Sequence, residues 1–193
     1  IAGVQTYHNY GGWILRGPGV ESDAYPGQDI QVYDAIGQVG ETILPGYKYV
    51  VIWSGLYTTW GNELDWTYKG RGIISYSNEL WTPFKYFEKP PEKDRYDRPE
   101  YQFDRLLLMR EAVVPWTPYN HPQYGLIEVG GVKKQYTRAI PGFLLPAEAH
   151  RNMAFTLYHA DQMPLMSIGK TSVERVEGDV YRVRVDITNE RVI

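Results

Sequence analysis

Four histidines and a set of acidic side chains are the residues of this sequence that could bind a metal ion or move a proton. The histidines are His8, His121, His150 and His159. The absence of cysteine excludes a thiolate zinc site, a cysteine nucleophile and a disulfide scaffold. His150 and His159 are separated by about 2.5 turns on a predicted helix, so they should face opposite sides and cannot share a metal. Phosphate-loop and dinucleotide fingerprints are also absent.

Glu79 is the acid with the strongest positional argument. Residues 73–79 alternate with a period of two, which predicts a β-strand, and Glu79 falls at its carboxyl end. In open α/β sheets, ligands bind at that edge. The position favours a functional role for Glu79. The alternative is a buried acid paired with a nearby base such as Lys85.

The remaining elements alternate between strands and helices. Strands are predicted over 1–8, 47–53 and 126–129, and helices over 29–44, 61–69, 103–111 and 146–163. Prolines argue against regular structure over 82–102, 115–118 and 121–122. Gly178-Asp179 predicts a hairpin that joins 171–176 to 180–187.

This order predicts an α/β fold with a mixed sheet and flanking helices. The C-terminal hairpin should belong to a larger unit, because an isolated two-stranded hairpin is marginally stable in water. Residues 166–193 are therefore expected to begin a β-sandwich-like domain.

Two fixed spacings lead from Glu79 back to Asp65 and Tyr57. Glu79 lies 14 residues after Asp65 in an Asp-Trp-Thr-Tyr sequence, and Tyr57 lies eight residues before Asp65. Thr6-Tyr7-His8-Asn9-Tyr10, then Leu15-Arg16-Gly17-Pro18, and later Gly142-Phe143-Leu144-Leu145-Pro146-Ala147, add to the pattern. Together these segments resemble the C-terminal half of the zinc carboxypeptidase family, typified by pancreatic carboxypeptidase A. The resemblance covers 1–81 and 142–165.

The resemblance implies a role for each matched residue. His8 would be a zinc ligand, and Glu79 the general base that activates zinc-bound water. Tyr57 would be a mobile residue over the terminal carboxylate of a peptide substrate. Leu64 would floor a specificity pocket for apolar C-terminal side chains, and Asn9 and Tyr10 would line the neighbouring subsite. Asp65 and Trp66 are expected to be structural.

The family's other two zinc ligands come from a His-x-x-Glu sequence upstream of the third ligand, and none of the four histidines here has a glutamate three residues later. A catalytic zinc needs three protein ligands, so the site is incomplete in this chain and the chain alone should be inactive. The resemblance therefore implies a carboxypeptidase-like but incomplete domain over 1–165 with an insertion at 82–141, and a C-terminal β domain that begins at 166–193. A missing N-terminal half, or another chain, would complete the sheet and the site.

Two other classes of function stay open. The chain could be a non-catalytic family member that binds peptide ends or glycans, with Trp60, Trp81 and Trp116 as a stacking platform. It could also be a structural module whose aromatic residues serve packing or assembly.

Net charge and the length of the apolar runs limit the classes of partner that the sequence predicts. A net charge of -3 gives no general attraction to nucleic acid or an anionic membrane. The longest apolar runs are far shorter than the roughly 20 residues that span a bilayer. Family analogy alone favours a secreted or periplasmic location.

Overall fold

A computed structural model describes residues 2–82, 99–191 and 193 of this 193-residue chain. The strands are β1 (Gly3–Asn9), β2 (Trp13–Arg16), β3 (Lys48–Val51), β4 (Ile74–Leu80), β5 (Val113–His121), β6 (Gly125–Val132), β7 (Met166–Glu177) and β8 (Val180–Asn189). The helices are α1 (Gly27–Ile43), α2 (Ile52–Gly55), α3 (Glu63–Arg71), α4 (Pro99–Leu107), α5 (Lys134–Arg138) and α6 (Leu145–Asp161).

The centre of the fold is a four-stranded mixed sheet in the order β1-β4-β2-β3. Strand β1 runs parallel to β4, β2 runs parallel to β3, and β2 is antiparallel to β4. The predicted α/β class with a mixed sheet and flanking helices is therefore confirmed, and separate antiparallel pairs, β5-β6 and β7-β8, accompany it.

One face of the sheet carries the main core. Ile14 and Tyr76 project from it and pack against Tyr33 and Ile36 of α1 and Phe155 of α6, all of them buried. The two long helices contact each other across this core.

The opposite face is covered by α3. Leu15 of β2, Ile52 of α2 and Leu64 of α3 form a second, smaller apolar cluster there. Residues that alternate along a strand point to opposite faces, so Leu15 and its neighbour Ile14 belong to different clusters. The sheet thus separates a large core from a smaller one.

Helix α1 forms although Gly37 and Gly40 weaken the helical pattern. Both glycines allow close packing. A Cβ at Gly37 would lie 2.4 Å from the Tyr49 ring, and one at Gly40 would lie 2.7 Å from the Phe155 ring. The sequence locates the helix correctly, with a start at Gly27 in place of the predicted Asp29.

The loop predicted around Pro115 and Pro118 is wrong. Both prolines lie in β5, whose pairing with β6 is irregular between Val114 and Thr117. Proline is tolerated in edge strands and at bulges, and a two-stranded ribbon has only edge strands. Residues 83–98, with the alternative partner Lys85, lie outside the described residues.

Strands β7 and β8 form the predicted hairpin and extend beyond its predicted ends. Val173, Val183, Val185 and Ile187 share one exposed face of it, and Arg182 and Arg184 alternate onto the other. This amphipathic pattern is typical of a sheet that packs against a second layer. The β-sandwich-like domain itself stays a prediction.

Among the described residues, the longest helices are too short and too polar to cross a bilayer.

Candidate functional site

His8 and Glu79 meet at the carboxyl ends of two parallel strands. They are directly paired in the register of β1 and β4, and His8 Nδ1 lies 3.2 Å from Glu79 Oε1. The imidazole is 71% exposed, whereas the carboxylate side chain is 14% exposed. The fold therefore places an accessible imidazole beside a shielded carboxylate at the edge where the sequence predicted a site.

The Glu79 carboxylate has two different surroundings. Its Oε1 faces the imidazole, while its Oε2 is buried and has no hydrogen-bond partner among the described residues. Burial raises the pKa of Glu79, and the contact with His8 opposes that rise. A carboxyl group with a raised pKa is better suited to accept and return a proton near neutral pH.

The same two residues supply only part of a zinc site. Over the described ranges, no group of three or more histidine, aspartate or glutamate side chains is arranged to hold a metal. One imidazole beside one carboxylate fits a single ligand with an adjacent base, and a catalytic zinc needs three protein ligands. The described residues therefore do not complete a zinc centre.

Leu64 lies in an apolar cluster on the same face of the sheet as Glu79. It is 3% exposed and packs with Leu15 and Ile52, and the partly buried Trp13 borders them. Trp13 is the antiparallel register partner of Glu79, so this cluster continues along the strand to the carboxylate.

Tyr57 has an exposed side chain just beyond α2. Its backbone N–H donates to Ile52 O over 3.1 Å, and the residue is 65% exposed. Leu56, the preceding residue, packs on the Leu64 cluster. Tyr57 is thus anchored beside that cluster, while no hydrogen bond joins its phenol to His8 or Glu79 within the described part of the chain.

Asn9 and Tyr10 point away from the His8–Glu79 pair. Asn9 follows His8 in β1, so its side chain takes the opposite face, where its amide donates to Arg138 O over 2.9 Å. The Arg138 guanidinium lies 5.4 Å from the centre of the Tyr10 ring. The structure thus brings His8 and Glu79 together and leaves Asn9 on the other side of the sheet.

Asn9 instead lines an apolar groove along α6, which sequence analysis did not identify. The groove has a volume of about 560 Å³, and Leu80, Met153 and Leu157 contribute to its walls. Apolar residues recur along the predicted last helix at Ala149, Met153, Leu157 and Ala160, and this stripe was the available signal. All four are exposed, and the first three line the groove, whereas the core face of α6 carries Glu148, Asn152, Phe155 and His159.

Asp65 is structural, as expected. Its carboxylate accepts the Gly19 backbone N–H over 3.0 Å and the Tyr25 hydroxyl over 2.8 Å. Asn62, the N-cap of α3, accepts the Asp65 backbone N–H. These bonds tie the first turn of α3 to the segment between β2 and α1.

The alternative stacking platform of three tryptophans does not form. Trp60 and Trp116 are 77% and 54% exposed, whereas Trp81 is 2% exposed and packs edge-on against Phe103. A buried indole cannot offer its face to a sugar ring.

Comparison with known protein families and with curated proteins finds no match to this chain. The resemblance to zinc carboxypeptidases therefore rests on the spacing of residues such as Asp65 and Glu79 in the sequence.

Proposed function

We propose that residues 1–165 are the C-terminal half of the catalytic domain of a zinc metallocarboxypeptidase, which hydrolyses apolar C-terminal residues from peptides. The observation that carries the proposal is the contact of 3.2 Å between His8 and Glu79 at the carboxyl ends of β1 and β4. Two residues 71 positions apart, each matched to a catalytic position of the family, share one small region of the surface.

In this proposal His8 is one of the zinc ligands. Zinc, when bound, supplies a Lewis acid that polarises the scissile carbonyl and lowers the pKa of a bound water to about 7. Glu79 accepts a proton from the attacking water on its carboxylate as the carbon–oxygen bond forms. It returns that proton to the leaving nitrogen as the carbon–nitrogen bond breaks.

The apolar cluster under α3 supports the choice of substrate. Leu64, Leu15 and Ile52 are buried hydrocarbon groups on the face that carries Glu79, and a substrate side chain that packed against this cluster would be favoured if apolar and disfavoured if basic. Tyr57 is exposed and lies in a connection between helices, so its phenol is free to approach a bound peptide end.

The remaining zinc ligands come from the missing N-terminal half of the domain or from another chain. Among the described strands, β1 is at an edge of the sheet. A further strand that paired in parallel with β1 would end beside His8, because the carboxyl ends of parallel strands meet at one edge. Residues after that strand would therefore be close enough to complete the site.

Mutation of the two central residues tests the proposal in the full-length protein that carries this chain. Glu79→Gln should retain zinc and lose about 10²-fold or more of peptide cleavage, because the amide cannot accept the proton. His8→Ala should lose zinc, measured by atomic emission after dialysis. His121→Ala, at the tip of the β5-β6 hairpin, is the matched control and should change neither quantity. Cleavage that survives Glu79→Gln would contradict the proposal.

A non-catalytic relative that binds peptide ends or glycans is the second candidate. The presence of a single imidazole beside Glu79 among the described residues favours it. Such a protein would bind apolar-ended peptides or glycans with unchanged affinity after Glu79→Gln and would cleave no peptide. Calorimetric titration with both classes of ligand separates the two candidates.

A further inference from the structure

The chain makes an unfavourable backbone turn directly after the strand that carries Glu79. Trp81, two residues later, has a φ of 72°, in the left-handed region that bulky side chains rarely adopt. It is nevertheless buried, at 2% exposure. Strained backbone of this kind persists only when its surroundings hold it, and it is concentrated at functional sites.

The turn joins the end of β4 to the turn that follows His8. Gly11 N–H donates to Trp81 O over 3.0 Å, and Gly12 N–H donates to Glu79 O over 2.8 Å. Gly12 also has a positive φ of 72°, and a Cβ there would lie 2.4 Å from Thr82 Cγ2. The backbones beyond His8 and beyond Glu79 are therefore bonded to each other, which fixes the separation of the two strand ends that carry these residues.

Tyr47 holds this junction from the core. Its hydroxyl accepts the Trp81 backbone N–H over 3.0 Å and donates to the carboxylate of Glu148, a buried residue in α6. Burial and the nearby Glu148 raise the pKa of Tyr47, so the phenol keeps the proton that it donates. The Tyr47 phenol therefore links Glu148 of α6 to the backbone that follows Glu79.

We propose that Tyr47 is a positioning residue for Glu79: through its bond to the Trp81 N–H, it holds the end of β4 against the Gly11-Gly12 turn and so aims the carboxylate at His8. The catalytic part of this inference rests on the proposed peptidase function. The geometric part does not, because it concerns hydrogen bonds within the chain.

Tyr33 of α1 offers a matched control, because its phenol also bonds to the backbone of β4. It is fully buried, and its hydroxyl also accepts a backbone N–H of β4, that of Ser75 over 3.2 Å. Ser75 is at the opposite end of β4 from Glu79. Tyr47→Phe and Tyr33→Phe each remove one buried phenol oxygen. The first removes the bond to the Trp81 N–H just beyond β4 together with the bond to Glu148, whereas the second removes the bond to the Ser75 N–H at the far end of β4.

Amide hydrogen exchange and steady-state kinetics on the full-length protein test the proposal. Tyr47→Phe should speed exchange at the Gly11 and Gly12 amides by about 10-fold. It should also lower kcat by about 10-fold or more with KM within about twofold, because small misplacements of a catalytic group are costly. Tyr33→Phe should leave both the glycine amides and kcat unchanged.

Unchanged exchange of Gly11 and Gly12 in Tyr47→Phe would overturn the proposal, and so would an equal loss of kcat in the two variants. Should Tyr47→Phe fail to fold, Gly12→Ala disturbs the same junction from the β1 side, and full kcat in that variant would overturn it as well. If the wild-type protein cleaves no peptide, the proposed peptidase function is wrong. The rate of amide hydrogen exchange at Gly11 and Gly12 would still decide whether Tyr47 holds the end of β4.

Discussion

Histidine side chains occupy two contrasting environments in this molecule. His8 is exposed and touches a carboxylate, whereas His159 is 3% exposed, and its Nε2 has no hydrogen-bond partner among the described residues. The Tyr76 ring meets the His159 ring edge-on at 4.9 Å. The environment of His159 is that of a neutral core residue.

Burial of His159 should make the stability of the fold depend on pH. Burial lowers its pKa from 6.5 to about 4, so the unfolded state binds more protons between these values. Because of His159 alone, the free energy of unfolding should therefore decrease by about 3 kcal/mol as the pH drops from about 6.5 to about 4. Urea unfolding of the wild type and His159→Phe at pH 7 and pH 4.5 measures that difference.

His150→Gln is the control for this measurement, because His150 lies on the same helix and is exposed. It should keep the pH dependence of the wild type. An identical loss of stability with acid in His159→Phe and the wild type would contradict the account.

At the scale of elements, the strands that carry the site follow from sequence patterns. The period-two alternation of residues 73–79 correctly predicts β4, which runs from Ile74 to Leu80 and so ends one residue after Glu79. The contact between His8 and Glu79 depends on register, and local periodicity does not encode which strand lies beside which. Only the resemblance suggested that pairing.

Other elements differ from the pattern for identifiable physical reasons. Strand β5 contains Pro115 and Pro118, because an edge strand can spare a backbone N–H. Asn9 was grouped with His8 by its position in the sequence, whereas strand alternation places it on the opposite face. The groove along α6 and the contact between Tyr47 and Glu148 involve segments about 100 residues apart, which no local pattern reveals.

Close packing of α1 gives a test at this scale. In Gly40→Ala the new Cβ would lie 2.7 Å from the Phe155 ring and 2.8 Å from Ile14 Cδ1. Overpacking of about 1–3 kcal/mol should outweigh the roughly 1 kcal/mol gained in helix propensity, so the variant should be less stable. In α3, Gly70→Ala meets nothing closer than 4.0 Å and should be stabilised by up to about 1 kcal/mol. Thermal unfolding that shows equal stabilisation of both variants would contradict the packing described.

At the scale of the whole molecule, two apolar surfaces are exposed among the described residues. Strand β1 is an edge of the described sheet, beside an open apolar groove whose wall includes Met153 and Leu157. The β7-β8 hairpin exposes an apolar face of its own. Large exposed apolar surfaces are uncommon on isolated soluble proteins and mark interaction sites. Both surfaces agree with the proposal that this chain is part of a larger enzyme.

The central claim is that His8 and Glu79 belong to one zinc centre. Anomalous X-ray scattering at the zinc absorption edge, from crystals of the full-length protein, tests it most directly. The account predicts a zinc peak about 2.0–2.1 Å from an imidazole nitrogen of His8, with the Glu79 carboxylate facing it. A zinc peak bound elsewhere, or none beside His8 in crystals soaked with zinc, would contradict it.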